Sequence, residues 1–194
     1  MSEGAAASDN ALARRAADGD DRAFGELVRR HKDSLYRLLR RYSGDPDDAY
    51  EAAHEAFIAA WRALGRYDPA RPFGAWLRTI AINKARDRGR RARVRRLLFG
   101  SKPLEESEAM DLADPADQAD DELMARQRSR KLDRAIAGLP PQLKEPLLLT
   151  AFEGLSQQEA GELLRVSAKT IETRVYRARK ILAERLGAEL RPPD

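Results

Sequence analysis

The densest concentration of charge in the sequence is the segment KARDRGRRARVRR, residues 84–96. It carries eight basic side chains and one acidic side chain, and we call it the basic run. A run of like charges repels itself unless an anionic surface lies against it. Nucleic acid, an anionic membrane, an acidic partner protein and an acidic part of the same chain are the candidates. The basic run therefore predicts an anionic partner and leaves its class open.

A second charged pattern lies in DDAYEAAHEAFIAAWRAL, residues 47–64. If the segment is a helix, Asp48, Glu51 and Glu55 cluster on one side, and we call them the acidic ridge. A broad apolar stripe occupies the other side: Ala49, Ala53, Ala56, Phe57, Ala60, Trp61 and Leu64. Because the ridge lies away from this stripe, we expect it to be free to meet a basic partner. Phe57 and Trp61 are expected to pack in the core.

A third pattern lies in LSQQEAGELLRVSAKTIETRVYRARKILAERL, residues 155–186. Ser156 and Glu159 have the spacing of a capping box, and Ser167 is suited to cap a second helix after a short turn. The second helix has an apolar stripe and a polar, basic outer face. This is the pattern of a helix-turn-helix. A helical hairpin with a solvated polar face is the alternative.

Composition restricts the class of protein. The chain has 194 residues, of which 35% are charged and 42% hydrophobic, with a net charge of +4. It has no cysteine, which excludes disulfides, thiolate metal sites and cysteine nucleophiles. No apolar stretch approaches the roughly 20 residues of a membrane span, and no signal peptide is recognisable. We expect a cytoplasmic protein without membrane insertion.

Charge is strongly segregated along the chain. Residues 1–98 hold 21 Lys and Arg against 14 Asp and Glu, residues 99–125 hold 1 against 9, and residues 126–194 hold 14 against 9. The middle segment has few large apolar residues and cannot bury a core of its own. The prediction is an all-α fold in which two small helical domains, 1–98 and 126–194, are joined by a flexible acidic linker, 99–125.

Three segments resemble the sigma-70 family of bacterial sigma factors, in its small extracytoplasmic-function (ECF) group. DAYEAAHEAFIAAWRAL resembles region 2.2, and RPFGAWLRTIAINKARDRGRR resembles regions 2.3 and 2.4. AIAGLPPQLKEPLLLTAFEGLSQQEAGELLRVSAKTIETRVYRARKIL resembles region 4. The resemblance covers about residues 18–98 and 130–186. It implies a helical bundle for region 2 and a helix-turn-helix for region 4.

The resemblance also implies partners and site residues. The partners would be core RNA polymerase (the clamp helices of its largest subunit and its flap), promoter DNA and an anti-sigma protein. Polymerase binding falls on Asp48, Glu51, Glu55 and Ile58. The −10 element falls on Arg66, Tyr67, Arg71, Arg78, Asn83, Arg86, Arg90 and Arg91. The −35 element falls on Lys169, Thr170, Glu172, Thr173, Arg174, Tyr176 and Arg177. No cofactor, metal or catalytic residue is implied.

Four further expectations concern single residues or segments within these regions. The basic run would lie along promoter phosphates, with plain solvation or pairing with the acidic linker as the alternative. Glu172 would accept a hydrogen bond from a cytosine N4 amine in the −35 element, unless it pairs with Arg179 or Tyr176 instead. Arg165 stands where glycine is common, so positive φ is expected there. Pro146 is tolerable if its helix begins near Leu143.

Two other functions compete with this interpretation. A stand-alone helix-turn-helix regulator that binds an operator would explain the second domain and the basic run. It would not explain the acidic ridge or the order of the two domains. An enzyme acting on DNA, such as a recombinase, is disfavoured because the sequence has no convergent carboxylates with histidine, no nucleophile motif and no glycine-rich phosphate loop.

Overall fold

The computed structural model describes residues 7–99 and 120–189, and every regular element in that part of the chain is helical. The all-α prediction is confirmed. The elements are α1 (Asp9–Ala17), α2 (Asp21–Ser43), α3 (Pro46–Ala63), a 3₁₀ turn (Leu64–Arg66), α4 (Phe73–Phe99), α5 (Asp120–Ala137), α6 (Pro141–Leu147), a π-helical turn (Leu148–Phe152), α7 (Gln157–Leu164) and α8 (Ala168–Glu189).

Helices α1 to α4 form the first domain, and local sequence signals set their ends. The Asp20 side chain accepts a hydrogen bond from the Ala23 N–H and so caps the start of α2. Gly44 ends α2 with a φ of 79°, a conformation that favours glycine. Asp45 then caps α3, and Pro46 occupies its first turn. Gly44, Asp45 and Pro46 set the break between α2 and α3.

The core of the first domain lies between α2, α3 and α4. Leu27, Leu38 and Leu39 of α2 and Phe73 and Leu77 of α4 are almost fully buried. The thin alanine stripe of α3 lets that helix approach its neighbours closely: Ala49, Ala52, Ala53, Ala56 and Ala60 are all buried. The expectation for Trp61 was wrong. Its ring packs on Phe24 at 4.8 Å but stays 39% exposed, because it lies at the edge of the stripe.

Helices α5 to α8 form the second domain, which contains the predicted helix-turn-helix. Ser156 and Glu159 make the capping box at the start of α7. Arg165 ends α7 with φ 57° and ψ 46°, so the expected left-handed residue in the turn is confirmed. The Ser167 hydroxyl accepts a hydrogen bond from the Thr170 N–H at the start of α8. The turn geometry therefore follows from residues that the sequence already marks.

The expectation for Pro146 was wrong. Helix α6 begins at Pro141 and not near Leu143, so Pro146 lies in its second turn. The α-helical hydrogen bonding ends one residue later, and the chain continues as the π-helical turn. Proline lacks the N–H that a regular helix needs at this point, which accounts for a change of helix type nearby.

The two domains pack against each other. Ile82, which lies one turn from both Arg78 and Arg86 on α4, is only 2% exposed. It lines a cleft with Leu163 and Leu164 of α7, so the second domain covers this part of α4. A β-carbon built on Gly44 would lie 2.7 Å from the β-carbon of Ala137 in α5. The backbones of the two domains therefore lie so close at Gly44 that a residue with a β-carbon would force a neighbour to shift.

The structure describes only part of the predicted linker. Helix α5 begins at Asp120, inside the segment assigned to the linker, so the acidic segment runs into a helix. Residues 100–119 lie outside the described residues. Among the residues that the structure describes, none of the helices has both the length and the apolar character needed to cross a bilayer.

Replacing Gly44 with alanine tests the close approach of the domains. The substitution forces a left-handed conformation on a residue with a β-carbon and crowds Ala137. We expect it to lower the free energy of unfolding by about 2–3 kcal/mol, measured by thermal or denaturant unfolding. Gly25→Ala is the control, because no neighbour lies within 4 Å of its β-carbon position inside α2. That variant should be about 0.5–1 kcal/mol more stable than the parent. Equal stability of Gly44→Ala and the parent would contradict the argument.

Candidate nucleic-acid and partner interfaces

The acidic ridge lies on the solvent side of α3, but it is not free. The guanidinium of Arg88, from α4, bridges all three carboxylates: Asp48 at 2.9 Å, Glu51 at 2.7 Å and Glu55 at 3.0 Å. Burial of Arg88 disfavours its charge, yet the hydrogen bonds that it donates to the three carboxylates outweigh that cost and raise its pKa. The expectation of an unpaired ridge was therefore wrong. Asp48 and Glu51 nevertheless keep most of their side-chain surface exposed.

Apolar side chains lie on the same helix as the ridge. Ile58, which was assigned to polymerase binding, and Trp61 are each 39% exposed. Tyr50 is 70% exposed, and sequence analysis did not single it out. The charge pattern that defines the ridge does not indicate that the tyrosine next to Glu51 is exposed. Helix α3 thus presents acidic and apolar groups together to solvent.

The loop between α3 and α4 presents two of the predicted −10 residues. Arg66 and Arg71 are exposed. Tyr67 is not: it is only 8% exposed, and its hydroxyl lies 2.5 Å from the Arg71 carbonyl oxygen. Its ring packs on Trp76 and Phe73. The prediction of Tyr67 as a residue facing DNA needs correction, because in this structure the side chain supports the loop from inside.

The outer face of α4 is covered by the second domain. Arg78 forms a 2.6 Å ion pair with Glu153, and Arg86 forms two hydrogen bonds with Glu145, at 3.0 and 2.6 Å. Asn83 remains exposed and accepts a hydrogen bond from Arg86. Two of the five predicted −10 residues on this helix, Arg78 and Arg86, are thus held by carboxylates of the other domain.

Glu145 is the centre of this contact and is only 4% exposed. Besides Arg86, it accepts a hydrogen bond from the Tyr42 hydroxyl at 3.1 Å. Burial and the negative charge of Glu145 raise the pKa of Tyr42, so this hydroxyl stays protonated and able to donate. Tyr42 lies in the last turn of α2, and Arg86 lies halfway along α4. One buried carboxylate therefore joins three helices.

Lys144 also joins the two domains, and it is only 6% exposed. Its Nζ donates to the Tyr42 carbonyl at 2.8 Å and the Ala137 carbonyl at 2.6 Å. These oxygens lie at the C-terminal ends of α2 and α5, where helix dipoles favour a cation. Burial still lowers the pKa of Lys144 to about 8. Arg41 adds a third link, since its guanidinium lies 4.5 Å from the centre of the Phe152 ring.

The basic run is divided between several roles. Arg86 pairs with the second domain, Arg88 pairs with the acidic ridge, and Arg90 pairs locally with Asp87. Arg91, Arg93 and Arg95 are exposed. Arg91, Arg93 and Arg95, in the second half of the run, therefore present their cations outward, where phosphates could reach them.

The outer face of α8 carries the residues predicted to read the −35 element. Lys169, Glu172, Thr173, Tyr176 and Arg177 are exposed, with Tyr176 at 71%. Thr170 and Arg174 are half-buried at the flanks. Glu172 pairs with Lys169 at 2.8 Å and not with Arg179 or Tyr176, so the alternative named the wrong partners. The Thr173 hydroxyl donates to the Lys169 carbonyl within the helix.

The structure thus brings the predicted residues together on two open faces and one covered face. The open faces are the ridge of α3 and the outer side of α8. Sequence analysis missed the residues that join the two domains at the covered face: Tyr42 on the first domain, and Lys144, Glu145 and Glu153 on the second. Glu145 next to Pro146 inside an apolar segment was the available signal, because a charged residue in a buried helix requires a partner.

Comparison with known proteins identifies the family. The sigma-70 region 2 model matches residues 27–95, and the sigma-70 region 4 model matches residues 129–182. RNA polymerase sigma factor CnrH of Cupriavidus metallidurans is 38% identical over 183 residues, which cover 94% of this chain and 96% of the relative. The ECF RNA polymerase sigma factor SigW of Bacillus subtilis is 31% identical over 170 residues, covering 87% and 91%.

A solved structure supports the same conclusion. The structure of CnrH in complex with the cytosolic domain of CnrY has a TM-score of 0.68 and 34% sequence identity, and it covers 94% of this chain and 99% of that one. A fold of two helical domains, the second a helix-turn-helix, defines a DNA-binding protein class. The chain belongs to the sigma-70 family, in its extracytoplasmic-function group. It acts with RNA polymerase in promoter-specific transcription initiation, and a stand-alone regulator is not favoured.

The covered face generates a prediction about domain separation. Glu145→Gln with Glu153→Gln removes two charges that hold Arg86 and Arg78. We expect the equilibrium between packed and separated domains to shift toward separation by about tenfold or more, because weakening a buried ion pair exceeds 1.4 kcal/mol. Fluorescence energy transfer between dyes on Arg22→Cys and Glu184→Cys measures the shift, since the chain has no cysteine of its own.

The control for this measurement changes the same net charge elsewhere. Glu26→Gln with Glu162→Gln removes two carboxylates that lie outside the ion pairs of Arg78 and Arg86, since Glu26 pairs within α2 and Glu162 is exposed on α7. In the control variant, the distribution of distances between the dyes should equal that of the parent. An unchanged distribution in the Glu145 and Glu153 variant would show that these ion pairs do not hold the domains together.

Proposed function

We propose that the acidic ridge and the exposed apolar residues of α3 bind core RNA polymerase, while the outer face of α8 reads the −35 element. The 65–72 loop and the outer face of α4 bind the −10 element, and the exposed end of the basic run follows promoter phosphates. The chain acts by binding alone, without catalysis of its own, and works in the cytoplasm. Residues 1–98 and 126–194 are the two functional domains.

The observation that carries this proposal is the exposure of two chemically opposite faces. The acidic ridge is an anionic surface on a domain with an excess of cations, which suits a basic protein helix and not DNA. The outer face of α8 combines cations with groups that can contact base edges. One chain therefore offers separate surfaces to a protein and to a duplex, as an initiation factor requires.

The covered face of α4 implies a conformational step. Arg78 and Arg86 pair with Glu153 and Glu145 in the packed arrangement, so promoter phosphates would have to replace these carboxylates. The second domain therefore moves away from α4 before the −10 element binds. A protein that holds the domains in the packed arrangement would keep the factor inactive. The solved CnrH structure contains the cytosolic domain of CnrY, and we propose an anti-sigma partner for this chain by analogy.

Charge reversal on the ridge tests the polymerase surface. Glu51→Lys with Glu55→Lys places two cations where a basic partner helix is proposed to bind, and each like-charge contact costs on the order of several kcal/mol. We expect the double variant to lose binding to core RNA polymerase in a pull-down, while circular dichroism shows an unchanged helix content.

Asp18→Lys with Asp33→Lys is the matched control, since it changes the same charge on two exposed acids, one just after α1 and one in α2, away from the ridge. This control should bind core polymerase like the parent. Retention of core polymerase by the ridge variant would reject α3 as the binding surface.

Replacing Glu172 with alanine tests sequence reading by α8. The carboxylate lies on the exposed face, and a carboxylate can accept from the cytosine N4 amine. We expect the preference at one −35 base pair to relax by about 1–3 kcal/mol in transcription from a promoter library. Loss of the Lys169 pair should matter little, because exposed ion pairs contribute about 0–1 kcal/mol.

Glu162→Ala serves as the control, since this exposed acid lies on α7 and not on the outer face of α8. All −35 preferences should be those of the parent in that variant. If every −35 position also keeps its preference in Glu172→Ala, Glu172 does not read a base.

A further inference from the structure

Helix α1 lies outside the match to the region 2 family model, which begins at residue 27. It is nevertheless attached to the first domain through specific side chains. Asp9 pairs with Arg30 at 2.9 Å and with His31 at 2.6 Å, both in α2. The Ser8 hydroxyl caps the helix by accepting from the Ala11 N–H. These contacts fix helix α1 on α2 independently of its contacts with the 65–72 loop.

Asn10 is the residue of α1 that contacts this loop. Its Nδ2 donates to the Pro69 carbonyl at 2.9 Å, and its Oδ1 accepts from the Phe73 N–H at 3.2 Å. The Tyr67 hydroxyl lies 2.9 Å from the same Oδ1 and 2.5 Å from the Arg71 carbonyl, so its single proton is shared between these two oxygens. One amide side chain therefore ties both ends and the middle of the loop.

The contacts on the loop all lie on its inner side. Tyr67 and Phe73 are buried, whereas Asp68, Ala70 and Arg71 between them are exposed. The inner hydrogen bonds therefore set the positions of the backbone groups and of Arg71 on the outer side. Asparagine suits this task because its side chain offers donors and an acceptor at once, which neither aspartate nor serine of similar size provides in the same geometry.

We infer that Asn10 is a positioning residue for −10 recognition. It sets the shape of the 65–72 loop and thereby the selection of bases in the −10 element. This inference rests on the proposed function, which assigns the loop to the −10 element. Asn10 itself acts through the loop and does not contact DNA. The consequence is that a helix outside the region 2 match contributes to promoter choice.

The test is transcription by the holoenzyme from a library that varies the −10 and −35 elements. Asn10→Ala removes all the loop contacts of this side chain. We expect the preference at one or more −10 positions to change by about three- to tenfold, the effect of losing about one net hydrogen bond. Preferences at −35 positions should stay within about twofold of the parent, because α8 is untouched.

Ser8→Ala is the matched control, since it weakens the cap of α1 but leaves the loop contacts in place. It should keep the −10 preferences of the parent. Tyr67→Phe removes the hydroxyl that joins Asn10 to Arg71, and it should alter the same −10 positions as Asn10→Ala. Tyr67→Phe also decides the question if Asn10→Ala does not fold.

Three outcomes separate the possibilities. A change confined to −10 preferences in Asn10→Ala and Tyr67→Phe supports the inference. A uniform loss of transcription at all promoters, or −10 preferences equal to the parent, overturns it and leaves Asn10 with a stabilising role only. If the parent chain selects no promoter with core polymerase, the proposed function itself fails, which is distinct from failure of the inference.

Discussion

The buried carboxylate of Glu145 is the constraint on which the arrangement of the two domains depends. At 4% exposure, an unpaired carboxylate would carry a prohibitive desolvation cost, so partners must be placed against it. Arg86 and Tyr42 of the first domain are those partners. Their positions on α4 and α2 require α6 to lie across both helices. The cover over Ile82 and the ion pair of Arg78 with Glu153 follow from that placement.

Arg78 and Arg86 of α4 pair with carboxylates when the two domains are packed. The same side chains can bind phosphates when the domains are separated. A buried ion pair contributes little net stability, because the desolvation penalty offsets most of the Coulombic gain. Exchanging one anion for another at Arg78 and Arg86 therefore costs little once water or phosphate can enter. The forked guanidinium donors fit both carboxylate and phosphate oxygens. The same side chains can thus stabilise two arrangements of the domains that differ modestly in free energy.

Local signals in the sequence predicted the parts of the fold that local physics determines. The Asp45–Pro46 start, the Ser156 and Glu159 capping box and the left-handed Arg165 all depend on neighbours a few residues away. The contacts of Arg88, Glu145 and Asn10 join residues at least 33 positions apart, and no periodic pattern marks them. Helical periodicity separates polar from apolar faces, but it does not tell which polar face a second domain will cover. That limit explains why the cover over Ile82 could not be predicted from the sequence.

Helix α4 carries its cations in two functional sections. Toward its start and middle, Arg78 and Arg86 pair with carboxylates of the second domain and form the covered section, whereas Arg91, Arg93 and Arg95 near its end are exposed. Arg88 lies between these sections and pairs with α3 of its own domain. The exposed section can meet phosphates in either arrangement of the domains, but the covered section can do so only after they separate. Any ligand that binds the covered section must therefore favour separation, and separation must raise its affinity by the same factor. Domain packing and binding to α4 are thus linked in thermodynamic terms.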